Sequence, residues 1–150
     1  MRTRFLMVTA VAEAAIGVAL LLAPGTSASL LLGATLNESG AILVARICGA
    51  ALIAIGIACW SSRADPQNSS TGGLIYAMLY YNLIVATLLA YGWIGLGLRG
   101  LGLWPAVLAH LALALWAFAC VALGLTGCRT KGKRLRATLV SAPACTRSVR

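Results

Sequence analysis

Four apolar runs, residues 5–22, 41–60, 74–91 and 105–125, constrain this chain more than anything else in it. A helix needs about 20 residues to cross the ~30 Å hydrocarbon layer of a bilayer, and each run supplies close to that. Hydrocarbon offers no water to backbone N–H and C=O groups, so a spanning segment must satisfy them within itself. The runs therefore predict an all-α fold: an integral membrane bundle of four transmembrane helices.

Composition supports this. The 150 residues are 61% hydrophobic and only 10% charged, too little charge to clothe a soluble domain. One transmembrane domain over 1–126 is expected, with helices at about 5–22, 41–60, 74–91 and 105–125, then a basic tail over 127–150. Seven of the 12 cations lie in that tail, which holds no acid and is interrupted by Pro143. Such a composition predicts disorder. Arg129, Lys131, Lys133, Arg134 and Arg136 directly follow a membrane helix. Their expected contact is anionic lipid headgroups, at ~1 kcal/mol per cation near the surface, and not nucleic acid.

Charge also predicts orientation. Arg2, Arg4, Arg63 and the tail cations fall on one side after four crossings, against Arg99 on the other. The positive-inside rule then puts both termini in the cytoplasm. Arg2, Arg4, the first apolar run and Thr26-Ser27-Ala28 resemble a signal peptide. The length of the run and Glu13 at its centre favour a retained helix. Ten arginines against two lysines, with abundant Ala, Leu and Gly, suggest a GC-rich bacterial genome. The expected location is the bacterial inner membrane.

Each predicted span carries one costly polar group: Glu13, Arg46, Asn82 and His110 in order. A charge at mid-bilayer costs ~2.5–3.5 kcal/mol on insertion scales, so such groups usually face the bundle. Arg46 and His110 fall ~7–8 Å below the outer boundary and Glu13 ~12–15 Å below it, at 1.5 Å rise per residue. An intramembrane cluster is expected: a Glu13–Arg46 ion pair, with His110 and either Asn82 or Tyr81 bonded to it. Thr9, Glu13 and Gly17 share one helix face. Gly17, Ala45, Gly49, Gly56, Ala106 and Ala114 are small residues placed to let helices approach closely. The cluster reads first as a structural pin and second as a proton or ligand site.

Motifs for chemistry are missing. Five cysteines form no C-x-x-C, and His110 is the single histidine, so neither a metal site nor haem ligation is predicted. Gly95-Leu96-Gly97-Leu98-Arg99-Gly100 matches G-x-G-x-x-G. It follows a membrane helix and precedes no acidic residue, so the match carries no nucleotide-binding meaning. No catalytic residue and no cofactor are predicted, although grooves between apolar helices suit a lipid, a quinone or a pigment.

The size, the four-helix layout and the run Arg46-Ile47-Cys48-Gly49-Ala50-Ala51-Leu52-Ile53-Ala54-Ile55-Gly56 resemble the DoxX-like group of small bacterial membrane proteins. In that group an arginine followed by glycines recurs near a helix start. The resemblance implies a four-helix membrane fold, and some members are linked to quinone or thiol redox systems.

Little mass is predicted outside the membrane. The expected function is that of a non-catalytic accessory or scaffold subunit of a larger membrane complex, with other membrane subunits as partners. A small proton-coupled transporter using Glu13, Arg46 and His110 is the alternative, and a DoxX-like redox-associated protein the second.

Overall fold

The computed structural model describes the backbone of residues 1–140 and the side chains of residues 1–123. The described residues form five helices and no strand: α1 (Arg2–Leu22), α2 (Pro24–Leu32), α3 (Ser39–Ser62), α4 (Ser69–Ile94) and α5 (Leu103–Val140). Four segments are long and apolar enough to cross a membrane: α1, α3, α4 and the Leu103–Leu123 part of α5. The described residues are thus all-helical, with four helices whose length and composition suit a multi-pass membrane protein.

Local chemistry sets the helix ends. Ala23 precedes Pro24, whose ring disfavours the α conformation in the residue before it. Ala23 adopts φ −134 and ψ 62, and its N–H closes on the Ala19 carbonyl at 2.9 Å. Pro24 then opens α2 as a first-turn residue, where a missing N–H costs nothing. Asn68 caps α4, its side-chain oxygen accepting from the Ser70 N–H at 3.0 Å. That cap starts α4 five residues before the apolar run at 74. The helical backbone of α5 passes the expected boundary near 125 and continues to Val140. The expected disorder over 127–150 falls where only backbone is described, and residues 141–150 lie outside the described residues.

α1 packs chiefly against α3, and α4 chiefly against α5. The first pair meets backbone to backbone. A Cβ added to Gly17 would stand 2.6 Å from the Gly49 carbonyl oxygen, and one added to Gly49 would stand 2.6 Å from that of Gly17. Two turns on, a Cβ at Gly56 would stand 3.0 Å from the Ala10 oxygen. The helices are therefore antiparallel, with Gly17 level with Gly49 and Ala10 level with Gly56. Lipid tails are as apolar as leucine, so such close van der Waals contact is what holds the pair.

The two pairs join at one end through a buried cluster of Phe5, Leu6, Cys59, Ile75, Met78, Ala117 and Cys120. Phe5 and Trp116 meet edge to face at 5.9 Å. Arg2 reaches across this end, donating to the carbonyls of Pro66 at 3.1 Å and Cys120 at 3.4 Å. The opposite end is closed by α2 lying on the α4–α5 loop. There the Gly102 N–H donates to the Leu30 carbonyl at 2.9 Å, and Gly100 sits so tightly on Leu31 that no side chain fits.

Overpacking a tight contact costs about 1–3 kcal/mol. Gly17→Val and Gly49→Val are each expected to lower stability by that amount in detergent thermal unfolding. Gly73→Ala, where an added Cβ meets nothing, is expected to match or exceed the native chain, because glycine in a helix costs roughly 0.5–1 kcal/mol.

Candidate functional site

Residues four apart stack on one helix face, and the inward stripe of α1 runs through Thr9, Glu13 and Gly17. Glu13 is 3% exposed although it carries a carboxyl group. Its partner comes from α4: the Tyr81 hydroxyl donates to Glu13 Oε2 at 3.3 Å. This hydrogen bond crosses the seam between the two helix pairs.

A second polar contact lies next to it within the α4–α5 pair. Asn82 is fully buried and donates through Nδ2 to the Met78 carbonyl at 2.7 Å. Its Oδ1 lies 2.8 Å from His110 Nδ1. With the amide oxygen facing the ring, Nδ1–H is the donor of this hydrogen bond. The Tyr81 and His110 rings touch edge to face, centroids 5.9 Å apart. Glu13, Tyr81, His110 and Asn82 thus form one polar patch joining α1, α4 and α5, buried at Glu13 and Asn82 and half-buried at Tyr81 and His110. Thr9 is also buried, and its hydroxyl finds no partner among the described residues.

Arg46 is not part of this patch, and the expected Glu13–Arg46 ion pair is corrected accordingly. Arg46 is exposed on α3, and no ion pair joins it to Glu13 among the described residues. The glycine contact explains this. Gly49 is the residue turned into α1, and Arg46, three positions earlier, points about 60° round the helix from it. The same register sets Arg46 level with Leu20, about 10 Å along α1 from Glu13. Pairing by depth alone had no access to helix rotation. Tyr81, one of the two residues expected to bond to the cluster, takes the place expected of the arginine.

The other expected residues are distributed as follows. Gly17, Gly49 and Gly56 lie in the α1–α3 contact. Ala114 is buried on α5, while Ala45 and Ala106 are half-buried. Arg129, Lys131, Lys133, Arg134 and Arg136 lie outside the described side chains.

Chemically, the patch holds a carboxyl group, a phenol, an imidazole and an amide. Glu13 binds Tyr81 and Asn82 binds His110, but Tyr81 meets His110 through ring edges and not through a hydrogen bond. Cys48, Cys59 and Cys120 are free thiols. Among the described residues no three His, Cys, Asp or Glu side chains gather as a metal site.

Comparison of the chain with protein-family models, with curated proteins and with solved structures gives no match.

Leaving a buried partner unsatisfied costs about 1–3 kcal/mol. Asn82→Ala, which strands His110 Nδ1, is expected to cost that much in thermal unfolding of the purified protein. Arg46→Met is expected to change the same stability by less than about 0.5 kcal/mol, as surface substitutions do. A loss of several kcal/mol for Arg46→Met would restore the ion pair.

Proposed function

We propose that this chain is a non-catalytic accessory or scaffold subunit of a larger complex in the bacterial inner membrane, with both termini in the cytoplasm. The observation that carries this reading is one ridge on α3. Arg46, Ala50, Ala54 and Ala58 recur every fourth residue, and all four are exposed.

A guanidinium turned toward lipid is costly. Ionisable groups in spanning segments are normally paired or face a protein interior. Arg46 lies about 10 Å from the Ser39 end of α3, and its own chain gives it no acid. A carboxylate on a neighbouring helix removes the cost. The three alanines below Arg46 are the residue type that lets a second helix approach closely. Charge and small residues on the same ridge thus favour one occupant, a membrane helix of another subunit carrying Asp or Glu in the matching half of the bilayer.

A second copy of this chain fits less well. Two α3 ridges related by a two-fold axis along the membrane normal would oppose Arg46 with Arg46, and like charges at close range destabilise. The charge distribution supports the orientation. Arg2, Arg4 and Arg63 share the end where Arg2 binds the Pro66 carbonyl, while Arg99 lies at the end closed by α2. Both ends also pair arginine with tryptophan, Arg63 over Trp60 at 3.8 Å and Arg99 over Trp93 at 4.0 Å. Tryptophan favours the membrane–water boundary.

Truncating one partner of a buried charge pair costs 2–5 kcal/mol. Gentle detergent extraction of native membranes is expected to bring out the wild-type chain with a larger membrane subunit in fixed ratio. Arg46→Met and Ala54→Leu are each expected to lower that co-extraction more than about tenfold, with the chain's own abundance unchanged. Wild-type chain that extracts alone, or variants that keep the partner, would remove the reading.

A further inference from the structure

A groove of about 250 Å³ runs along the outer side of the α1–α3 pair, lined by Ala10, Val11, Ala14, Gly56, Ile57 and Trp60. Its walls are apolar apart from a trace of polar surface. Gly56 forms the floor, where the two backbones approach closely. Trp60 stands at the end nearest the α3–α4 loop, two residues before α3 ends at Ser62. The groove therefore lies on the half of the pair nearer the α3–α4 loop.

Two cations stand beyond the Trp60 end, outside the groove's own lining. The Arg63 guanidinium lies over the Trp60 ring at 3.8 Å. Its Nε is buried and has no hydrogen-bond partner, although Asp65 is only two residues away. That Nε is closed to a ligand, so an anion can meet only the terminal nitrogens of this guanidinium, whose charge-assisted hydrogen bonds to phosphate are strong. The second cation is Arg4. The register that puts Ala10 beside Gly56 puts Arg4 level with Ser62, and Arg4 is exposed. Arg2, by contrast, is committed to the carbonyls of Pro66 and Cys120.

An apolar groove with an aromatic wall and two unpaired arginines beyond its Trp60 end matches one ligand chemistry. We propose that the α1–α3 groove binds a single anionic phospholipid, its phosphate at Arg63 and Arg4 and the first part of one acyl chain against Trp60, Ile57 and Val11. The guanidinium fork suits phosphate oxygens, and stacking on Trp60 holds it ready for them. The site needs only that the bundle lies in a bilayer, so it stands independently of any partner on the Arg46 ridge.

The test is native mass spectrometry of the purified full chain, titrated separately with dioleoylphosphatidylglycerol and dioleoylphosphatidylcholine. Wild type is expected to retain one phosphatidylglycerol in preference to phosphatidylcholine. Arg63→Gln is expected to weaken phosphatidylglycerol retention about fivefold, the value of one cation near a headgroup, and phosphatidylcholine, whose choline offsets the phosphate charge, by less. Val11→Trp, at a position 63% exposed and so able to fold, fills the groove and is expected to weaken both. Arg99→Gln, at the other end, is expected to leave retention intact. Equal retention of the two lipids by wild type, or an equal loss in Arg99→Gln and Arg63→Gln, would overturn the site. So would full retention in Val11→Trp.

Discussion

The contact between Gly17 and Gly49 governs the rest of the structure. Because a Cβ on either would strike the other's carbonyl, α1 and α3 can approach only with these glycines facing. That choice fixes the register of the pair and the rotation of α3 in one step. It turns Gly56 and Cys59 inward and leaves Arg46, Ala50, Ala54 and Ala58 outward. In water a bundle so thin would be unstable, since much of its apolar surface is uncovered. In hydrocarbon that surface costs nothing, and close packing of small residues decides which helices adhere.

The spans were legible in the sequence because backbone satisfaction in hydrocarbon forces apolar runs to be helical. Their ends were less so. Asn68 begins α4 among serines and glycines, where a cap rather than hydropathy decides. The segment after the first run forms the separate helix α2 because Pro24 interrupts one helix and suits the first turn of the next. Its seat, Leu31 against Gly100, depends on chain segments far apart in sequence.

The polar patch was half legible. Glu13, Asn82 and His110 stand out as costly groups in apolar runs, and the structure gathers them around Tyr81. The choice of Arg46 as the partner of Glu13 rested on opposite charge and similar depth, and neither reports rotation about the helix axis. The outcome is informative in both places. Inside, a tyrosine hydroxyl meets the carboxyl group, so the patch pins α1 to α4 without burying an arginine. Outside, a charge remains on the face where lipid or another protein must lie.

The account turns on what covers that face. Photocrosslinking in native membranes measures it most directly, with p-benzoylphenylalanine placed at Ala54 on the ridge and, for comparison, at Leu108, 63% exposed on α5. A discrete heavier adduct with one other membrane protein is predicted from Ala54 and none from Leu108. Lipid adducts alone at both positions, or an adduct at the mass of two copies of this chain, would contradict it.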